Sequence, residues 1–161
     1  MIIGKRRLAV LGGASAAALL MGMGAAATAA PSGAGTAPPR PYVTTCQSCH
    51  KADGSGTPGV FPRLEGRVGP AARTADGRKW LIATILFGQS GPITVDGKTI
   101  RGAMPPFARM SDSDVAQTLT WLAGRGPRAF TPAEVAAVRS QSGMTAARVG
   151  QMRGAAGVPA Q

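Results

Sequence analysis

The chain has 161 residues, with 18 Lys and Arg against 7 Asp and Glu and a single His, for a formal net charge of +11. Its length suffices for one small domain and no more once the first thirty residues, which do not read as folded, are set aside. The positive charge favours an acidic partner, and although anionic lipid or nucleic acid would also satisfy it, the cations are scattered rather than interleaved with aromatics, which argues against nucleic acid.

Residues 1–29 have the three parts of a secretory signal peptide. Lys5, Arg6 and Arg7 open it, Leu8 to Met23 are apolar and uncharged, and Ala27-Thr28-Ala29 is an A-x-A site. The cut is expected after Ala29, since a cut after Ala30 would place Pro31 beside the scissile bond. Removing the leader takes away three cations and leaves a net charge of +8. The expected location is therefore the periplasm. The rival is an uncleaved anchor, for which the stretch is long enough but rich in Ala and Gly, and only then would the chain meet a membrane. Arg6-Arg7 leaves twin-arginine export open.

Residues 30–40, rich in Pro, Gly and small side chains, read as a flexible linker, and residues 41–142 as the folded domain. Within it, Pro41 to Ala52 read as a short helix and Asp53 to Gly69 as a loop rich in Gly and Pro. Trp80, Leu81, Thr84 and Ile85 recur at helical spacing, predicting a helix over Arg78 to Phe87 stopped by Gly88. Ile93-Thr94-Val95 and Lys98-Thr99-Ile100 flank Asp96-Gly97, a hairpin with a primed turn. Ser111 with Asp114 approximates a capping box, stapled by Met110 and Val115, and its helix should run to about Ala123 before Gly124. Thr131-Pro132-Ala133-Glu134 is a full capping box with Phe130 and Val135 as the staple, and its helix should end near Ser140. Residues 143–161, Gly- and Ala-rich without apolar periodicity, read as a disordered tail. There is no internal repeat.

The chemistry lies in Cys46-Gln47-Ser48-Cys49-His50, which holds both cysteines and the sole histidine of the chain. This is the attachment signature for a c-type haem. Two cysteines three apart on a helical turn point the same way, so both thiols can reach the two vinyl groups along one porphyrin edge while the next residue projects its imidazole at the iron. The competing readings are weaker. A redox dithiol would want a βαβ setting, a structural zinc needs four ligands, and a plain disulfide would leave the adjacent histidine a coincidence. One covalent haem c, with its iron, is therefore expected, held by Cys46 and Cys49 and ligated by His50.

Over about Tyr42 to Ser140 the chain resembles the class I, mitochondrial-type c-type cytochromes, close to small bacterial cytochromes and the haem domains of quinoprotein dehydrogenases. The likeness rests on CQSCH, on DGSGTPGVFPRLEG at Asp53–Gly66, on LIATILFGQSGPITVDGKTIRGAMPPF at Leu81–Phe107 and on SDSDVAQTLTWLA at Ser111–Ala123. It implies a mostly α fold of short helices and long loops wrapped around one haem, with one minor β-hairpin. It also implies Met104, in Gly-Ala-Met-Pro-Pro-Phe, as sixth iron ligand. Pro62 matches the proline whose carbonyl accepts from the ligating imidazole. Leu64, Trp80 and Phe61 fall on the pocket wall, where each could equally be ordinary core, and Trp121 matches the aromatic that packs on the N-terminal helix. The sequence departs from the pattern where a glycine eight residues before the first cysteine is replaced by Pro38, so the first helix should begin late, near Pro41, with its crossing altered.

A six-coordinate iron leaves no open site, so the resemblance implies a one-electron carrier between a donor dehydrogenase or respiratory complex and a terminal acceptor, not an enzyme. The expected partners are redox proteins with an acidic docking surface, met by a monomer or by a subunit docked in a dehydrogenase complex. The alternatives are a peroxidase-like haem site or a haem-based sensor, and the sequence offers neither a second histidine for a distal position nor a separate substrate domain.

Overall fold

The computed structural model describes residues 37–124 and 126–158, so the leader and most of the linker lie outside the described residues. The chain enters through α1 (Arg40–Thr45) and α2 (Gln47–His50), which meet at Cys46. Hydrogen bonds from Cys46 N–H to the Tyr42 carbonyl at 2.8 Å and from His50 N–H to the Cys46 carbonyl at 2.9 Å carry the helical path across the junction. The path ends at Lys51, whose φ of 62° is left-handed. Such a backbone in a residue bearing a Cβ needs support, and the Tyr42 hydroxyl supplies it by donating to the Lys51 carbonyl at 2.6 Å. The first helix thus starts late, as the proline-rich approach predicts, but stops two residues short of Ala52.

A one-turn helix, α3 (Val68–Ala71), closes the loop that follows, where the sequence reads as irregular. α4 (Ala75–Phe87) then begins three residues earlier than its apolar spacing indicates, because Thr74 caps it by accepting from Gly77 N–H at 3.0 Å. It is buried on almost every side, including Ile82, Ala83 and Leu86, and forms the centre of the molecule. β1 (Ile93–Val95) and β2 (Lys98–Ile100) pair antiparallel with Ile93 opposite Ile100. Asp96 at φ 51° and Gly97 at φ 70° make the primed turn that the sequence predicts.

α5 (Asp112–Ala123), α6 (Pro132–Arg139) and α7 (Ala146–Met152) pack around α4. Val115 and Leu119 of α5, Val135 of α6 and Val149 of α7 join the core about Ile82 and Leu86. α1 is tied to α5 by Tyr42 and Trp121, whose rings lie 4.5 Å apart. The α6 capping box is complete, whereas that of α5 is half made: Ser111 accepts from Asp114 N–H, but the Asp114 carboxylate accepts from the Ser111 hydroxyl instead of reaching back to its backbone. Aspartate is one methylene shorter than the glutamate that completes the motif in α6.

Helix α7 replaces the disordered tail expected at 143–161 over residues 146–152, while residues 159–161 lie outside the described residues. Residues 146–152 are helical because Val149 is fully buried, Thr145 caps the first turn, and a glycine at position 150 lets the backbone sit against the carbonyl of Ser90, where a Cβ would collide. Small residues here serve close packing, so the segment has no apolar stripe to read. Among the described residues, no helix is long and apolar enough to cross a membrane.

One charged cluster joins α4 to α6 and to the loop before it. Arg78 on α4 is buried and donates to both carboxylate oxygens of Glu134 at 2.9 Å, to the carbonyls of Arg128 and Ala129, and stacks 3.8 Å above the Phe130 ring. Glu134 also accepts from Arg128 and from Thr131 N–H. The Arg78 hydrogen bonds, with those of Arg128 and Thr131, outweigh desolvation and hold the Glu134 carboxyl down to about 2. Replacing Glu134 with Gln should cost about 2–4 kcal/mol at neutral pH, because it strands a buried guanidinium. A carboxylate whose pKa is depressed by folding stabilises above its unfolded value, so the gap between wild type and Glu134→Gln should be full above pH 4.5 and close as pH falls toward about 2. Denaturant titrations of both proteins across that range check the sign and the window.

Candidate cofactor site

His50 leaves the end of α2 buried, with Nδ1 3.0 Å from the Pro62 carbonyl. A carbonyl can only accept, so Nδ1 carries the proton and Nε2 presents its lone pair. Burial lowers the His50 pKa, against the smaller raising effect of the Pro62 bond. The ring is thereby kept neutral, as a metal ligand must be. The loop delivering Pro62 is folded back tightly. Thr57 and Phe61 exchange two backbone hydrogen bonds of 2.8 Å, and Gly56 N–H donates to the His50 carbonyl at 3.1 Å.

Cys46 and Cys49 are both free thiols here, so no disulfide spans them. Burial, and secondarily the proximity of Cys49, pushes the Cys46 thiol up to about 11. That is opposite to the depressed thiolate on which a redox dithiol depends. Among the described residues, no cluster of three or more His, Cys, Asp or Glu is placed to hold a metal ion directly.

Met104 comes from a separate segment of the chain, the loop between β2 and α5. Its backbone exchanges two hydrogen bonds with Gln89, of 2.9 and 3.1 Å, and Phe107 N–H donates to the Ile85 carbonyl at 2.8 Å. Gly88, at φ 75°, ends α4 and lets this loop close: a Cβ there would lie 2.5 Å from the Met104 carbonyl oxygen. The loop is thus fastened to the C-terminal end of the central helix.

These two sides face one cavity of about 440 Å³, lined by Cys46, Cys49, His50 and Met104 together with Phe61, Pro62, Leu64 and Trp80. Every site residue expected from the sequence borders this one space. Trp80 is buried and donates from its indole N–H to Gln89 Oε1 at 3.0 Å, whereas Phe61 is more than a third exposed and belongs to the rim. The lining includes residues that sequence reasoning did not assign to the pocket: Ile93 and Ile100 of the hairpin, Thr118 and Leu119 of α5, and Arg153 after α7. Alternation along the strands and the α5 periodicity carried a signal for the first four as core, but nothing local marked Arg153. A largely apolar cavity of this size, bordered by two thiols and with an imidazole lone pair available, suits a flat apolar macrocycle. The residues present therefore fit a covalently attached haem.

The Pro62 loop can be tested at its glycine. Gly56 sits at φ 66°, and a Cβ added there would lie 2.5 Å from the Phe61 carbonyl oxygen and 2.7 Å from that of Pro62. Gly59, in the same loop at φ 79°, has nothing within 4 Å of such an atom. Gly59→Ala should cost only the left-handed backbone penalty of about 1 kcal/mol, and Gly56→Ala should cost about 3 kcal/mol or more by also displacing the two carbonyls. Equilibrium unfolding of the pair measures the difference.

Residues 33–122 match the family described as cytochrome C oxidase, cbb3-type, subunit III. The chain is also 35% identical over 104 residues to cytochrome c-552 of Thermus thermophilus, an alignment covering 60% of this chain and 79% of that one. It is equally similar to a second cytochrome c-552, from another strain of Thermus thermophilus, covering 70% of that protein. A mostly helical domain with one small hairpin, CQSCH on a turn that borders the cavity and a cavity suited to a macrocycle agree with that match, and the chain belongs to the class I c-type cytochromes, electron-transfer proteins carrying covalently bound haem c.

Proposed function

We propose that this is an exported, monohaem electron carrier whose iron is held between His50 and Met104. The observation that carries the reading is that these two side chains, 54 positions apart in sequence, border one apolar cavity with both cysteines. Haem supplies the one-electron chemistry through its iron. The protein's own residues anchor and orient it: Cys46 and Cys49 by thioether bonds, Pro62 by fixing the His50 tautomer, and the Gln89 bridge with Pro105 and Pro106 by holding Met104 in a stiff loop. Held by His50 and by Met104 on a stiff loop, a bound haem would meet a similar environment in both oxidation states, and it would supply outer-sphere one-electron transfer. The three-part leader at residues 1–29 supports export, with the periplasm as the proposed location.

The axial ligand is tested by mutation. In the ferric protein a Met104 thioether on iron gives a weak far-red charge-transfer band. Met104→Ala should abolish it, lower the potential and admit carbon monoxide or cyanide readily. Met110→Ala should leave the band intact, since Met110 packs against the core beside the start of α5, and should cost on the order of 1 kcal/mol of stability. A wild type without the band that binds carbon monoxide quickly would be five-coordinate, and an enzyme or sensor role would replace this one.

The partner is proposed to be an acidic redox protein. Of the cations beside the expected haem loops, Arg63 and Arg67 are paired with Asp96 at 2.8 and 3.3 Å. That leaves Lys51, Arg101 and Arg109, all exposed, to carry the attraction, with Val60 and Phe61 as apolar contacts at the cavity mouth. Exposed charges are screened beyond roughly 10 Å at 0.1 M salt. Association rates with the partner should therefore fall as ionic strength rises, and more weakly for Lys51→Gln or Arg101→Gln than for Arg63→Gln. Stopped-flow electron-transfer rates against salt provide the measurement.

A further inference from the structure

The segment after residue 143 reaches the cofactor cavity. α7 is locked to the fold by Val149, by the hydrogen bond from Ser90 N–H to the Ala146 carbonyl at 3.0 Å, and by the close approach at Gly150. Immediately beyond it, Arg153 turns its guanidinium over the Trp80 ring, 5.6 Å from the centroid, and borders the same cavity as His50 and Met104. Its Nη2 is buried and has no hydrogen-bond partner. Arg67, with a side chain only 12% exposed, borders the cavity too and shares Asp96 with Arg63. Burial, with the neighbouring Arg67 charge, lowers the Arg153 pKa. A buried guanidinium nitrogen with no acceptor is costly, more so beside a second cation, and both conditions are relieved by an anion. On the same wall the indole N–H of Trp80 is already engaged by Gln89, and the buried hydroxyl of Thr118, like Arg153 Nη2, has no hydrogen-bond partner.

We propose that Arg153, delivered by α7, and Arg67 together form the cationic seat for a propionate carboxylate of the haem, making the C-terminal segment part of the cofactor site. The proposal rests on the reading of the cavity as the haem pocket. Haem is apolar over most of its surface and carries its two carboxylates along one edge, which matches an apolar cavity with guanidiniums in its wall. A guanidinium meets a carboxylate with two parallel N–H donors, and Nη2 is one such donor without an acceptor. Arg153 is then a positioning residue that also tunes the iron, because a fixed positive charge nearby favours the ferrous state.

The experiment measures midpoint potentials of the haem-loaded full chain. Arg153→Gln should lower the potential enough that, at the wild-type midpoint, ferric outnumbers ferrous by about threefold or more; tenfold corresponds to about 59 mV. Arg153→Lys should restore most of the shift. Arg148→Gln, which removes an exposed cation on the same helix, should leave the potential within error of wild type. If Arg153→Gln does not load haem, Arg153→Lys carries the test: a potential close to wild type supports the charge-based assignment, and a lowered potential overturns it. An unchanged potential in Arg153→Gln, or an equal fall in Arg148→Gln, overturns it as well. Intact mass keeps the two readings apart: a wild-type mass equal to bare polypeptide defeats the haem reading itself, whereas haem-loaded variants with unaltered potentials defeat only the role of Arg153.

Discussion

The two backbone hydrogen bonds between Gln89 and Met104 fix the far wall of the cavity, and much of the structure is arranged to permit them. They require the chain to leave α4 abruptly, which Gly88 allows, and they require the α4 end to be immobile, which its burial among α5, α6 and α7 ensures. Gln89 then serves twice, pairing its backbone with Met104 and its side chain with Trp80. The loop carrying the proposed ligand and the pocket wall are thereby positioned by one residue. A thioether is a weak ligand, so a loop with little freedom to lose holds it better than a mobile one.

The near wall obeys the same rule by different means. His50 is oriented by a carbonyl at Pro62, and that carbonyl is placed by a loop folded around Gly56 and closed by Thr57 and Phe61. Tyr42 joins the two halves: its hydroxyl secures the left-handed Lys51 just past His50, and its ring packs on Trp121 of α5. The pocket is rigid because each of its contributors is anchored to an element of the core, and rigidity is what an electron-transfer site needs if the geometry is to stay fixed between oxidation states.

With only 7 acids against 18 basic residues, the acids are used as junctions. Asp96, at the hairpin turn, gathers Arg63 and Arg67 and so ties the hairpin to the loop that carries Pro62. Glu134 gathers Arg78 and Arg128 while completing its helix cap, and Asp112 accepts from Arg139 to bind α5 to α6. Arg63 and Arg67, which border the cavity, are thus paired, whereas Lys51, Arg101 and Arg109 are exposed to solvent.

The features legible along the chain are those whose partners lie within a few residues. CQSCH, the Thr131–Glu134 capping box, the Asp96-Gly97 turn and the helix stop at Gly88 depend on contacts or backbone conformations spanning no more than about four positions, so their chemistry can be read along the chain. The first turn of α4 is polar and small, so the apolar spacing begins only at Trp80 although Thr74 is a local cap. Long-range partners are set by packing across the fold: Gln89 meets Met104, Arg78 meets Glu134 and Arg153 meets Trp80. The C-terminal helix follows the same rule. α7 is held by one buried valine and by glycine and alanine fitted against another segment, and small residues leave no periodic signal because the information resides in the surface they pack against.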